Sequence, residues 1–324
     1  MPRVTVVIPL YNKAPTILAT VASALHQTFA DFELIVVDDG STDGGVSALA
    51  GIEDNRLRLL AQENRGPGAA RNWGLREGRG DYVAFLDADD EWEASFLQLA
   101  VSRLDAYPDC AASVSGYWMG PERASRGPLN RRMGLLSGPW RLPKQLSPGD
   151  IKFFVDFCHS SCIVARRTLV QEYGGYYDAE RCSYGEDSYL WLMFVMNHSL
   201  YVEPDPFVWF HTEHSSLGNA LRGRHPLRPA LSSSEPLLAR CDPEYLPALH
   251  DLLAYYRLLE TEKLANKGRL FTGDLKRWRE RFPWRRPPSS KIALREMTLS
   301  MLAAAPRLTG ALLRLRQGLR ATLH

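Results

Sequence analysis

Five cysteines in 324 residues, Cys110, Cys158, Cys162, Cys182 and Cys241, form an odd set without any Cys-x-x-Cys spacing. That excludes a disulfide framework and a structural zinc site, and it suits a reducing cytosol. Long apolar runs are also missing. The longest uncharged stretch, Ala14 to Ala30, is 17 residues interrupted by Ser, Thr, His and Gln, short of the roughly 20 apolar residues a spanning helix needs. Met1 to Lys13 has no basic, apolar and small-residue succession, so no secretion signal is expected. No Gly-x-Gly-x-x-Gly follows the first apolar run, which disfavours a dinucleotide oxidoreductase. Internal repeats and low-complexity tracts are lacking too, and with 45% hydrophobic and 23% charged residues the chain can bury a sizeable core.

The net charge of +2 conceals a division. Residues 1–225 carry 21 basic and 28 acidic side chains, net −7, and residues 226–324 carry 18 and 9, net +9. Two parts with different partners are expected, with a boundary at 225/226. In the first part, short β-branched runs (Val4 to Ile8, Glu33 to Val37, Leu57 to Leu60, Tyr82 to Leu86) alternate with helical patterns at Pro15 to Gln27, Pro67 to Glu77 and Trp92 to Tyr107. Near-continuous apolar strands between helices predict an α/β fold with a doubly wound, mostly parallel sheet, whose ligands bind beyond the carboxyl ends of its strands. Gly120 to Asp150 reads as a long loop, and the text after about Arg224 as helical and basic.

Acidic residues punctuate the strand ends. The first run closes in Ile8-Pro9-Leu10-Tyr11-Asn12, the second in Asp38-Asp39-Gly40-Ser41-Thr42-Asp43, and the fourth in Leu86-Asp87-Ala88-Asp89-Asp90. Any one cluster could merely be turn chemistry. Three on one sheet edge point instead to a hard divalent cation that relieves carboxylate repulsion and binds phosphates.

With Asn64-x-Gly66, Ala70-Arg71-Asn72 and Gly185-Glu186-Asp187, these motifs stand in an order that resembles family 2 glycosyltransferases of the GT-A fold, over roughly residues 3 to 215. The resemblance implies inverting transfer of a sugar from a nucleotide diphosphate sugar, UDP by default, with Mn²⁺ or Mg²⁺. Its acceptor would be a glycan or a lipid-linked chain, with no nucleic acid as partner. It implies that Pro9, Tyr11, Asp38 and Asp39 form the nucleobase side, that Asp87 and Asp89 are the Asp-x-Asp, with Asp89 and Asp90 contacting ribose and metal, and that Arg71 approaches the nucleotide, a solvated helix face being the rival. It also implies Asp89, Asp90 and His211 as metal ligands, His214 being second choice, and Asp187 as the general base. For Asp187 the rival is an acidic helix start worth about 0.5–2 kcal/mol; for His211 it is a strand cap. Cys158-His159 and Cys162 could suggest a metal, but they read more readily as an apolar strand. A nucleotidyltransferase would carry a Gly-rich basic loop near the N-terminus that is lacking here, and a catalytically inactive nucleotide-sugar-binding scaffold would not need Asp39, Asp87, Asp89 and Asp187 together.

The end of the chain has helical period. Leu308, Leu312, Leu315, Leu319 and Leu323 alternate with Arg307, Arg314, Arg316 and Arg320, and from Lys263 on there are 15 basic and 3 acidic residues. Such a helix suits an anionic membrane surface, so residues 291–324 are expected to hold a cytoplasmic protein at the inner face of the plasma membrane. Packing on the catalytic domain would explain the leucine stripe equally well.

Overall fold

The computed structural model describes residues 1–214, 227–266 and 272–304. The expected boundary at 225/226 and the leucine stripe from Leu308 to Leu323 lie outside the described residues. The chain divides into two compact units, one formed by residues 1–143 and 153–229, the other by 144–152 and 230–324.

In the first unit the elements run β1 (Val4–Leu10), α1 (Ile17–Leu25), β2 (Phe32–Asp38), α2 (Gly45–Ala48), β3 (Leu57–Ala61), α3 (Pro67–Glu77), β4 (Tyr82–Phe85), β5 (Asp90–Trp92), α4 (Phe96–Ala106), β6 (Cys110–Met119), β7 (Ala124–Ser125), α5 (Gly127–Arg132) and β8 (Gly138–Trp140). After α6 (Pro148–Phe157) come β9 (Ile163–Arg166), α7 (Arg167–Glu172), α8 (Glu186–Asn197) and β10 (Ser199–Phe210). One sheet results, in the order β3-β2-β1-β4-β9-β6-β10-β5, with β7 on β6 and β8 on β10. β1 to β4 pair in parallel, as do β6 and β10. β9 runs antiparallel to both β4 and β6, so β6 and β10 share the direction of β1. The carboxyl ends of β1, β2, β4, β6 and β10 therefore lie along one edge.

β1 is buried along its length because both faces are covered. Val4, Val6, Ile8 and Leu10 join Ile17 and Val21 of α1 and Phe96, Leu97 and Leu104 of α4 in one core cluster. On the opposite face α3 comes so close that a Cβ at Gly74 would stand 2.3 Å from a Val7 methyl. Gly66, just ahead of α3, has φ +93° and backs onto the main chain of Arg181, so no side chain fits there.

The mostly parallel α/β fold is as expected, with three local differences. β6 was not anticipated: Ser113, Ser115 and Gly116 dilute its apolar pattern although the strand is central and paired on both sides. Trp92 belongs to β5, antiparallel to β10, and the helix expected from that residue starts at Phe96. Gly120 to Asp150 is not a featureless loop but holds β7, α5, β8 and the first turn of α6.

The second unit is helical: α9 (Pro229–Ser232) lies at its junction with the first, followed by α10 (Glu235–Arg240), α11 (Leu246–Asn266), α12 (Thr272–Arg281) and α13 (Ser290–Ala304). Leu258, Leu275, Leu299 and Leu302 form its core. No helix among the described residues is long and apolar enough to cross a membrane.

Candidate active site

At the end of β2, Asp38 accepts a hydrogen bond from the Ser41 main-chain N–H at 3.0 Å and shapes the turn. Asp39 is buried and accepts three, from Gln62 Nε2 (2.7 Å), Arg65 N (2.8 Å) and Gly66 N (2.9 Å). A carboxylate has about four acceptor positions, so one remains for a ligand donor while the other three pin the approach to α3. Tyr11 leaves the β1 end 49% exposed, its ring open to stacking. Pro9 is half-buried inside β1, opposite Val37.

Beyond β4 three aspartates sit in unlike surroundings. Asp87 is ion-paired to Arg71 Nη2 at 2.5 Å, and its main-chain N–H donates to Ser161 Oγ at 3.1 Å. Asp89 pairs with Lys13 Nζ at 2.5 Å. Asp90 is fully buried; its Oδ2 accepts from Ser161 Oγ at 2.5 Å, the His211 main chain also favours its charged form, and its Oδ1 has no hydrogen-bond partner among the described residues. Burial, reinforced by the charges of Asp87 and Asp89, drives the Asp90 carboxyl well above the usual range. Asp89 is also raised by burial, with Lys13 opposing. For Asp87 burial pushes upward too, but Arg71, His159 and Lys13 outweigh it and hold the group below the ordinary value. One ligand atom each from Asp87, Asp90 and His159 lie within 4.8 Å of one another. An orphaned carboxylate oxygen beside a second carboxylate and an imidazole fits a divalent cation.

His159 was set aside in the sequence as part of an apolar strand; it lies in the turn leading to β9, its ring 4.8 Å from that of Phe210. His211 is otherwise engaged. Its Nδ1 lies 2.9 Å from Glu213 Oε1 and its Nε2 3.0 Å from Glu91 Oε1, and its neighbour Phe210 pairs with Asp90 across β10 and β5.

Arg71, one turn into α3, is 4% exposed, so the solvated reading does not describe it. Its Nη2 holds Asp87 and its Nη1 donates to Glu186 Oε1 at 3.1 Å, while the guanidinium lies 4.8 Å over the Tyr176 ring. Glu186 and Asp187 occupy the first turn of α8 behind Gly185, where the helix dipole favours negative charge. Burial pushes the Glu186 carboxyl up to about 7, Asp187 adds to the rise and Arg71 opposes it. Asp187 is half-buried, and its Oδ1 accepts from Ser188 N at 2.6 Å.

A mostly parallel sheet with an Asp-x-Asp turn on the ligand-binding edge, an arginine behind it and an acidic helix start facing it describes a glycosyltransferase of the GT-A fold. The family description Glycosyl transferase family 2 matches residues 5–174, more than half of the chain, and the chain belongs to that family. It is 37% identical over 187 residues to the succinoglycan biosynthesis protein ExoW of Rhizobium meliloti (strain 1021), covering 53% of this chain and 57% of ExoW. It is 39% identical over 102 residues to the UDP-Glc:alpha-D-GlcNAc-diphosphoundecaprenol beta-1,3-glucosyltransferase WfgD of Escherichia coli, covering 31% and 40%. The matches span between 15% and 57% of the length of such curated relatives. Among solved structures, S. aureus TarS 1–349 in complex with UDP-GlcNAc superimposes with a TM-score of 0.60 at 16% identity, covering 93% of this chain and 91% of that one. The mannosyltransferase PcManGT of Pyrobaculum calidifontis, with GDP-Man and Mn²⁺, gives 0.54 at 22% identity, covering 96% and 86%. At those identities the likeness is one of fold.

Proposed function

We propose that the protein transfers a sugar, with inversion, from a UDP-sugar to a glycan or lipid-linked acceptor in cell-surface polysaccharide synthesis. The observation that carries this reading is the convergence on one edge of Asp87 and Asp90, the buried Arg71 and the Glu186–Asp187 turn, although 115 residues separate Arg71 from Glu186. The name of WfgD supports the nucleotide and the lipid-linked acceptor, that of ExoW a polysaccharide product.

In this reading Tyr11 stacks on the nucleobase and Asp39 accepts from its ring N–H through its remaining lone pair. Asp187 takes the proton of the acceptor hydroxyl, a role worth about 10²–10⁴ in rate. Arg71 holds Asp87 in place and keeps a positive charge behind the leaving diphosphate. Asp87 and Asp90, with His159, would hold Mn²⁺ or Mg²⁺, with Asp89 alongside; a bound divalent cation supplies charge neutralisation of the diphosphate. Calorimetry with UDP tests the assignment: affinity should rise with Mn²⁺ over EDTA, and equal affinity in the two would overturn it.

We further propose peripheral attachment to an anionic membrane surface, supported by the 15 basic and 3 acidic residues from Lys263 on. Truncation after Pro306 should release the protein from anionic vesicles without changing UDP binding, each basic residue contributing about 1 kcal/mol. Unchanged vesicle binding with loss of a cooperative melt would make the tail a packing element.

A further inference from the structure

The sheet edge has two flanks. β1, β2 and β4 carry Tyr11, Asp39 and Asp87 on one; β6 and β10 end on the other, with Asp90 at the start of β5 beside β10. At the second flank a tight turn joins β6 to β7. The Gly120 N–H donates to Phe210 O at 3.0 Å, and Gly120 O accepts from both Arg123 N (3.1 Å) and Trp209 Nε1 (2.9 Å). Arg123 pays for the turn with φ +50°, a conformation that non-glycine residues adopt at a cost and that clusters at functional sites.

The turn lays the Arg123 guanidinium on an aromatic stack. Its carbon lies 3.9 Å from the centroid of Trp209 and 5.9 Å from that of Trp118, the residue opposite Trp209 on β6. The His211 ring also lies 3.9 Å from Trp209. The carboxylates of Glu91 and Glu213 lie against His211, at 3.0 and 2.9 Å. Among the described residues no carboxylate comes within ion-pair distance of Arg123, whose guanidinium lies over the two tryptophan rings. Stacking fixes the plane of the guanidinium but consumes none of its five N–H donors, and that fork matches the oxygens of a phosphate or carboxylate.

We propose that Arg123, held on Trp209 and Trp118, is an oxyanion subsite for the acceptor, taking a phosphate or a sugar carboxylate. The role as acceptor site rests on the glycosyl transfer proposed above; the anion binding does not.

The test is calorimetry with four probes: geranyl diphosphate and geraniol, methyl β-glucuronide and methyl β-glucoside. Each is titrated into the full chain, into Arg123→Ala and into Arg123→Gly, which suits the positive φ and separates loss of the guanidinium from loss of the turn. One anionic probe should bind at least about tenfold more tightly than its neutral counterpart, since hydrogen bonds to charged groups are the stronger ones. Preference for the diphosphate would assign a lipid-linked phosphate, preference for the glucuronide an acidic sugar. Both variants should lose the preference while keeping the wild-type UDP affinity and melting midpoint. Equal binding of charged and neutral probes to the wild type, or a preference that survives in Arg123→Gly, would overturn the proposal. A protein that fails to bind UDP yet keeps the Arg123-dependent anion preference would refute the donor reading and leave the anion subsite standing.

Discussion

Two buried arginines, one in each unit, are wired in opposite ways. In the first unit one guanidinium, Arg71, serves two carboxylates, Asp87 and Glu186, and the neighbourhood remains short of positive charge. Asp90 keeps an unpartnered oxygen and Glu186 is raised to about 7. In the second unit two guanidiniums, Arg257 of α11 and Arg279 of α12, converge on the single carboxylate of Glu296 of α13, and Trp284 Nε1 donates to it at 3.1 Å. Burial pushes Glu296 upward, but these partners hold it below the ordinary range. Here the carboxylate is outnumbered by its donors and ties three helices together, although Arg257 Nε is itself buried with no partner among the described residues. In the first network the carboxylates outnumber the guanidinium, and that difference in charge balance separates a candidate site from a brace.

Removing Glu296 should have the largest effect on the fold. Glu296→Ala leaves Arg257, 1% exposed, without its one ion-pair partner among the described residues, and should cost about 3–5 kcal/mol in denaturant unfolding while UDP affinity at low temperature stays unchanged. A small loss would mean that the second network is no brace. Asp187→Asn should retain UDP-sugar binding and lose transfer by at least about 10²-fold, near 2.7 kcal/mol in the barrier. Turnover close to wild type would return Asp187 to the role of a helix start.

The smallest effect concerns pH. A carboxyl raised from 4.5 to about 7 on folding gives stability that is complete below pH 4.5 and fades as pH climbs through 7. Between pH 4.5 and 8 the wild type should therefore lose on the order of 2 kcal/mol relative to Glu186→Gln, as read by paired urea titrations. Parallel pH profiles would show that Arg71 neutralises Glu186 in full. Mn²⁺ sharpens the contrast, since it should stabilise the wild type against heat and leave the Glu296 network untouched.

The parallel half of the sheet was legible because its strands are β-branched runs between helices, and each ends in a motif that resembles the family's. β6 was not, because buried Ser113, Ser115 and Gly116 read as loop composition. Arg71 could be located but not its burial, which depends on a carboxylate supplied from α8. His159 carried only a weak signal, a histidine between cysteines that could suggest a metal but reads more readily as an apolar strand. Its neighbours Cys158 and Cys162 are buried thiols, raised by that burial, so the segment looks apolar, and only the fold brings the imidazole to Asp87 and Asp90.

β9 has a consequence for synthesis of the chain. Because it enters the sheet reversed between β4 and β6, the turn before it arrives where every parallel neighbour ends, bringing His159 and Ser161 to the aspartates. A nascent chain that has emerged only through β6 thus carries Asp87 and Asp90 without the hydroxyl, the imidazole or the acidic helix that complete them. Tyr11 and Asp39, which the proposed reading places at the nucleobase, are already present by then. In the proposed reading the general base, Asp187, arrives only with α8, so a chain ending before α8 would lack it whatever it binds.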